Sequence, residues 1–571
     1  MKNDVIASHF ELLADLLEIQ GANPFRIRAY RNGARAIRDL DEPVAIILLD
    51  STRRLADLPG IGGTLAEKAQ TLVETGALPQ LVTLRQEFPE IILTMTRIPG
   101  LGAKKAAALH RELGISTLDD LRTACEAGRV RVLKGFGKKT EETILAGLSF
   151  AETTEQRILW IDAEAIVYSL TKYFSTCDAI QQLEFAGSYR RKRETIGDLD
   201  LLVASERPNQ VMDHFEQFAD RSETLVRGDT KMSIRVFKGT QIDLRVVRMH
   251  QFGAALQYFT GSQAHNVHVR QLAKKAGLRI NEYGVFRDGT DQPIAGATEE
   301  EVYRAIDLPW FSPELREDRQ EFAFALAGPL PKLIQLSDLQ GDLHMHTTAT
   351  DGSASVEEMA EAAIARGLKY IAITDHSKRV SMARGLDADR ALAQWRMIDR
   401  VREQFADRIG ILKGIECDIL EAGGMDLPDE VLAQADWVVA SVHYGQKQTR
   451  EQITARILGA IRNPHVDCIA HPTGRLINRR PAYEVDLEAV LQACAETGTL
   501  IELNANPMRL DLDDTNCSSA RRHGVLVVIN SDAHSPDGLG VLQYGINQAR
   551  RAGLTAADVA NSRPWQEFGH C

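Results

Sequence analysis

The rhythm of apolar and polar positions changes along the 571 residues. Residues 1–150 read as helical, with few β-branched runs. From about 155 to 250 the pattern shifts to strands, in QLEFA (182–186), DLDLLVA (198–204), SIRVFK (233–238) and QIDLRVVR (241–248). Residues 251–310 mix helices with short strands. A charged segment follows, and from 340 onward strand-like and helix-like segments alternate. The strands are DLHMH, YIAITDH, ILKGIECDI, WVVASVHY, CIAHP, LIELNA and VLVVINSDAH, separated by stretches such as VEEMAEAAIARG and LEAVLQACAETG. Seven such units predict a parallel (β/α)7 barrel.

Length alone calls for several domains, roughly 3–5. The longest apolar runs, VAIILL (44–49) and VLVVI (525–529), fall far short of a membrane span. The acidic, amphipathic N-terminus is neither a signal nor a transit peptide. Seven cysteines lie far apart, none in C-x-x-C, which excludes a disulfide framework or zinc ribbon and predicts a cytoplasmic protein. The net charge of −12 argues at first sight against a nucleic-acid binder. Its distribution changes that picture. Residues 97–139 hold ten basic and four acidic residues, and Arg190-Arg191-Lys192-Arg193 forms a second basic cluster. Local patches, not the total, make an electrostatic footprint on phosphate.

One pattern, apolar-x-Gly-apolar-Gly before a helical, Lys-bearing stretch, occurs three times. The copies are Leu58-Pro59-Gly60-Ile61-Gly62, Ile98-Pro99-Gly100-Leu101-Gly102 and Leu133-Lys134-Gly135-Phe136-Gly137. Each glycine pair permits a tight turn between helices and leaves backbone N–H groups open to a phosphate oxygen. One copy would be an ordinary glycine-rich turn. Three within about 80 residues, two of them in the basic stretch, predict helix-hairpin-helix motifs. These grip DNA backbone through Gly60, Gly62, Gly100, Gly102, Gly135 and Gly137 without reading bases.

Residues 187–204 read GSYRRKRETIGDLDLLVA. Asp198 and Asp200 share one face of a strand, and Asp243 sits on a second strand. Three carboxylates on one face repel unless they hold divalent cations, and two Mg²⁺ ions would clamp both oxygens of an in-line phosphoryl displacement. Gly187-Ser188 offers a turn to a triphosphate, with Arg191 to neutralise charge. A bare Asp-x-Asp is ordinarily a solvated strand edge. Joined to Gly-Ser, Arg and a later strand Asp, it resembles the nucleotidyltransferase superfamily.

Tyr258-Phe259-Thr260-Gly261-Ser262, Asn266, Arg270 and Asn281-Glu282-Tyr283-Gly284 follow in order. With them, residues 1–310 resemble the family X DNA polymerases. The resemblance implies metal carboxylates at Asp198, Asp200 and Asp243, and triphosphate contacts at Ser188, Arg191 and Gly197. It implies sugar contacts at Tyr258, Phe259 and Gly261, and minor-groove contacts from Asn266 and Arg270. Gln263 departs from the Asp of a well-known family member. Lys68 matches the family's Schiff-base lysine for 5′-deoxyribose-phosphate removal, with Arg26 and Tyr30 as its phosphate-binding and orienting partners. Thr64 and Glu67 depart from the pattern there, and a lysine that only contacts DNA phosphate is the equal alternative.

Six of fifteen histidines fall at strand ends in the last 230 residues. A single such histidine is ordinarily a satisfied core group. Here His344, His346, Asp351, His376, Glu416, His443, His471, Asp532 and His534 all fall where a β/α barrel places its active site. Imidazole and carboxylate suit Zn²⁺ or Mn²⁺, and nine ligands predict a cluster of two or three ions that activates water against a phosphoester. Residues 339–571 resemble the PHP (polymerase and histidinol phosphatase) domain. Glu502 and Asn504 read as supports or substrate contacts, and Lys413 as either a phosphate contact or a surface lysine.

The resemblances divide the chain into a helical lyase-like domain (1–85), a helical DNA-binding subdomain (86–153), an α+β nucleotidyltransferase palm (154–250), a nascent-base-pair subdomain (251–315), a linker (316–338) and a PHP barrel (339–571). They imply a monomer that fills gapped or primed DNA from dNTPs in base excision repair. They also imply a 3′→5′ exonuclease, with cleavage at abasic sites as a further activity. The alternative is a PHP phosphoesterase whose N-terminal half only binds DNA.

Overall fold

The computed structural model describes residues 3–38, 44–49, 53–58, 60–75, 78–88, 90–96, 98, 101–155, 157–236 and 240–567. The chain divides into two compact units, Met1–Glu155 with Asn478–Pro481, and Gln156–Ile477 with Ala482–Cys571. Among the described residues, no helix is long and apolar enough to cross a membrane.

In the first unit, helices Asn3–Gln20, Pro24–Arg38, Gly63–Thr75, Ala103–Leu113 and Leu118–Glu126 bury Phe10, Leu13, Leu17, Leu72, Leu109 and Leu121 in one core. The described residues of the three glycine turns share one hydrogen-bond pattern. The apolar residue between the glycines is buried, and its N–H donates to the carbonyl three residues back: Ile61 to Leu58 (3.1 Å), Leu101 to Ile98 (3.0 Å) and Phe136 to Leu133 (3.0 Å). The carbonyls of Gly62, Gly102 and Gly137 then accept the opening N–H groups of the next helix. Gly60 and Gly135 take φ of +79° and +87°, a conformation side chains rarely adopt. Gly100 lies outside the described residues.

The second unit begins with a five-stranded sheet: β1 (Gln182–Phe185), β2 (Asp198–Ala204), β3 (Arg221–Arg227), β4 (Lys231–Val236) and β5 (Gln241–Val247). Their spatial order is β1-β2-β5-β4-β3, with β2 and β5 parallel and the other neighbours antiparallel. One face buries Leu199, Leu201, Val203, Ile242 and Leu244 against Phe174 and Phe215 of helices Trp160–Phe174 and Pro208–Glu216. The next layer holds helices Phe252–Thr260 and Gln263–Lys275 with a small antiparallel sheet of β6 (Leu278–Asn281), β7 (Gly284–Arg287) and β8 (Pro293–Ala295).

Seven parallel strands follow in chain order: β9 (Gly341–Asp342), β10 (Tyr370–Ile373), β11 (Gly410–Asp418), β12 (Trp437–Ser441), β13 (Cys468–Ile469), β14 (Leu500–Asn504) and β15 (Val527–Asn530). A bridge between Met345 and Ala533 brings the two ends of the sheet together, so the barrel is nearly closed. Its outer helices pack Met359, Trp395, Ile457, Leu491 and Ile546 onto the strands. The barrel is fastened to the preceding layers by buried and half-buried ion pairs. Arg551, 4% exposed, donates to Glu317 (3.0 Å), Asp514 (2.7 Å) and the Arg191 carbonyl (2.6 Å). Arg475 pairs with Glu194 at 2.6 Å, and Arg550 with Glu314 at 2.8 Å.

Candidate active sites

In the barrel, the candidate ligands stand at strand ends, where the backbone turns and side chains converge. Glu416, near the end of β11 and 1% exposed, is the centre of the group. One of its oxygens lies 3.0 Å from His471 Nε2 and 3.4 Å from His443 Nε2. The other lies 2.6 Å from His376 Nδ1, 3.6 Å from His344 Nε2 and 3.8 Å from His346 Nε2. Asp532 is 3.1 Å from His346, while Asp351 faces His534 at 3.4 Å and His376 at 3.6 Å. Three overlapping ligand groups result, each drawn together within 4.8 Å: His346, Asp351, His376 and His534; His344, His346 and Glu416; His376, Glu416 and His443.

Among the candidate ligands, His344 Nε2, His346 Nδ1 and His471 Nδ1 are buried without a hydrogen-bond partner, and His376 Nδ1 and Glu416 Oε2 face each other at 2.6 Å out of hydrogen-bonding geometry. Each such orphan costs roughly 1–3 kcal/mol unless something else binds it. Converging nitrogen and carboxylate lone pairs are what a divalent cation needs, so the residues fit the metal cluster that the sequence suggests. Burial pushes the Glu416 carboxyl up, but His443, His376 and His344 outweigh it and hold it well below its ordinary value. Burial, His534 and His376 push His346 down to about 3, leaving a neutral imidazole.

Surrounding groups orient these side chains. Glu502 Oε1 faces His344 Nδ1 at 2.7 Å, and its other oxygen accepts the His471 backbone N–H at 2.7 Å. Ser441 lies 3.1 Å from His443 Nδ1, and Asp418 accepts the His443 backbone N–H at 3.1 Å. Asn504 donates to Asp532 at 3.0 Å. Sequence reasoning singled out Glu502 and Asn504 but missed Ser441, Asp418 and Arg509, whose Nε lies 3.8 Å from Asp532. The signal for Asp418 was its place two residues after Glu416, on the same strand face. Lys413, three residues before Glu416 and hence on the other face, pairs with Asp399 at 3.4 Å.

In the palm, the parallel register of β2 and β5 sets Asp200 directly beside Asp243, with Asp198 at the exposed start of β2. Burial first, then Asp198 and Asp243, push Asp200 up to about 7. A positive charge would relieve that repulsion. Asp243 is held by the Ser233 hydroxyl and by Gln241 at 2.9 Å. Gly187, at φ +61°, runs so close that a Cβ would fall 2.2 Å from Asp200 Oδ2. Ser188 is half-buried in the one-turn helix Gly187–Arg190, and half-buried Gly197 immediately precedes Asp198. Arg191 donates to Glu317 at 3.0 Å and to the Thr260 carbonyl at 2.5 Å.

Tyr258 and Phe259 pack edge to face at 5.2 Å, with the Arg245 guanidinium 5.3 Å from the Phe259 ring. Gly261 turns the chain at φ +65°, and Ser262 caps the helix bearing Asn266 and Arg270. Arg270 Nε donates to the Asn266 carbonyl at 3.2 Å.

In the first unit, Lys68 Nζ donates to Gln80 at 3.0 Å, in a pocket also lined by Thr64, Glu67 and Thr71. Tyr30 is buried, its ring edge-on to Phe10 at 6.0 Å, while Arg26 is exposed.

Comparison with known proteins finds four family models along the chain. They are a helix-hairpin-helix domain at 1–78, a SAM-like helix-hairpin-helix tandem at 92–149, a DNA polymerase beta thumb at 255–317 and a PHP domain at 342–506. The chain is 39% identical to the DNA polymerase/3′-5′ exonuclease PolX of Bacillus subtilis (strain 168), over 98% of this chain and 97% of that protein. Shorter matches join it to a "Probable phosphatase" of Acetivibrio thermocellus, 35% identical over 34% of this chain and 78% of the relative. DNA polymerase lambda of Rattus norvegicus is 25% identical over 55% of this chain and 56% of its own.

Proposed function

Because the chain belongs to the family X DNA polymerases that carry a PHP domain, we infer that it is a DNA polymerase and a 3′–5′ exonuclease on one polypeptide. The observation that carries the nuclease half is the set of orphaned ligand atoms around Glu416. We assign His344, His346, Asp351, His376, Glu416, His443, His471, Asp532 and His534 as ligands of two or three ions, with Mn²⁺ or Zn²⁺ favoured by the imidazoles. Divalent ions bound there would supply Lewis-acid charge at the scissile phosphate and lower the pKa of water. Glu502, Ser441 and Asp418 fix the ring orientations that keep the ligand nitrogens aimed inward. Arg509 stands at the rim as a cation for the DNA phosphate.

For synthesis, Asp198, Asp200 and Asp243 are assigned to two Mg²⁺ ions, the harder cations that an all-carboxylate site prefers. Ser188, Gly197 and Arg191 would receive the triphosphate. Tyr258, Phe259 and Gly261 would flank the sugar, and Asn266 and Arg270 the minor groove. The glycine turns grip the duplex backbone, which suits gapped or primed DNA taken from a cytoplasmic repair pool such as base excision repair, with the chain acting as a monomer.

Metal content and activity together test the nuclease assignment. Wild-type protein purified without chelator should carry roughly two equivalents of transition metal, as a multinuclear phosphoesterase site requires. Glu416→Gln should lose most of it, together with exonuclease activity, and keep synthesis. Exonuclease activity that survives in metal-free protein would reject the site.

A further inference from the structure

Two polar chains lie in the apolar interior of the thumb, and one of them ends at the residues assigned to the nascent base pair. Glu321 accepts the backbone N–H groups of Asp318 (2.7 Å) and Arg319 (3.0 Å), and its Oε1 lies 2.9 Å from His265 Nδ1. His265 Nε2 lies 2.8 Å from the Tyr303 hydroxyl. Gln257 Nε2 donates to Asn266 Oδ1 at 2.8 Å, and Asn266 Nδ2 donates to the Tyr258 carbonyl at 2.7 Å. Glu321, His265 and Tyr303 are fully buried, Gln257 is 2% exposed and Asn266 8%. Their surroundings are Ala254, Val269, Val302 and Phe311.

Counting donors and acceptors fixes the sense of every bond. The Glu321 carboxylate only accepts, so His265 carries its proton on Nδ1. Burial depresses the imidazole and keeps it neutral, so Nε2 accepts from the Tyr303 hydroxyl. Gln257 gives an amide N–H to Asn266 Oδ1. Flipping the Gln257 amide would set its oxygen against Asn266 Oδ1. Flipping Asn266 would set its oxygen against the Tyr258 carbonyl. Both amides are therefore locked, and one N–H of Asn266 is left over. An apolar interior tolerates such a chain only when its members are paired.

We propose that Gln257 is a positioning residue for templated synthesis. It holds Asn266 so that the leftover N–H meets the minor-groove edge of the nascent pair. Purine N3 and pyrimidine O2 are acceptors in every Watson–Crick pair, so a fixed donor there senses pair geometry rather than base identity. The proposal rests on the placement of Asn266 at the nascent pair.

The test compares kcat and KM for dGTP and for 3-deaza-dGTP, which lacks the N3 acceptor, on primed DNA with full-length enzyme. Wild type should prefer dGTP by about tenfold through KM, the size of one hydrogen bond. Gln257→Met removes both amide ends at near-constant volume. It should raise KM for dGTP and erase the preference, with kcat close to wild type. Gln257→Leu, which also removes both amide ends, should do the same, and it carries the test if Gln257→Met does not fold. Asn266→Ala should erase the preference, with the double variant no worse. If the Gln257 variants keep the wild-type preference while Asn266→Ala loses it, the positioning role is overturned and the site assignment stands. If Asn266→Ala itself keeps the preference, the site assignment fails and the positioning role with it.

Discussion

Glu299 and Glu416 are both buried carboxylates ringed by nitrogen groups, but their surroundings differ in kind. Glu299 is fully bonded: Arg316 reaches its two oxygens at 2.6 and 3.1 Å, Arg190 at 2.8 and 2.9 Å, and Trp310 donates at 3.0 Å. Burial pushes its carboxyl up, yet Arg316 and Arg190 prevail and hold it down to about 2. A carboxyl depressed on folding contributes stability that is complete above its unfolded value of about 4.5 and is lost as pH falls toward 2. Melting temperature should fall through that window. Glu299→Gln should melt lower at pH 7, because Arg316 is left buried and under-paired at a cost of roughly 3–5 kcal/mol. Its further decline below pH 4.5 should be shallower than wild type; melting curves that run parallel in acid would refute this role. At this scale the candidate barrel ligands were legible because imidazole and carboxylate recur at strand ends. Glu299, Gln257 and Ser441 were not, since a supporting polar side chain has no spacing of its own and its partners lie on other elements.

The helix-hairpin-helix turns were legible as elements because one glycine pattern repeats three times with one buried apolar residue in each. Their open faces permit a clean test. A Cβ on Gly102 or Gly137 would meet nothing within 4 Å, and neither residue has a positive φ. Gly102→Ala and Gly137→Ala should therefore preserve the melting temperature. By covering the backbone N–H groups they should weaken duplex binding, and the slope of log K against log salt should drop by about 0.9 for each phosphate that is no longer neutralised. Binding curves that match wild type at every salt concentration would remove backbone gripping at these turns. Other elements escaped the sequence. The edge strand β3 is mostly exposed and carries no alternation, and the helices Trp160–Phe174 and Pro208–Glu216 lie within a stretch whose strongest periodicity is that of strands. The first barrel strand, read as DLHMH, ends at Asp342, which frees His344 and His346 to turn inward from irregular backbone.

On the scale of the molecule, the order of domains was readable from where helical, strand-like and alternating patterns begin, but the seam that joins the barrel to the palm and thumb was not. Arg551 meets Glu317 across 234 residues of sequence, and Arg475 meets Glu194 across 281, separations at which no local pattern survives. Residues 316–338, read as a linker, bring Arg316 and Glu321 into full burial and carry Glu317 to this seam. Two chemically distinct centres on one chain are the central claim, with carboxylates alone in the palm and imidazoles around Glu416 in the barrel. The most direct measurement follows the length of a labelled primer on gapped DNA, with and without dNTPs, for wild type, Asp200→Asn and Glu416→Gln. Wild type should lengthen the primer with dNTPs and shorten it without them. Asp200→Asn should only shorten it, and Glu416→Gln should only lengthen it. Loss of both activities from either single, folded variant would contradict two separate centres.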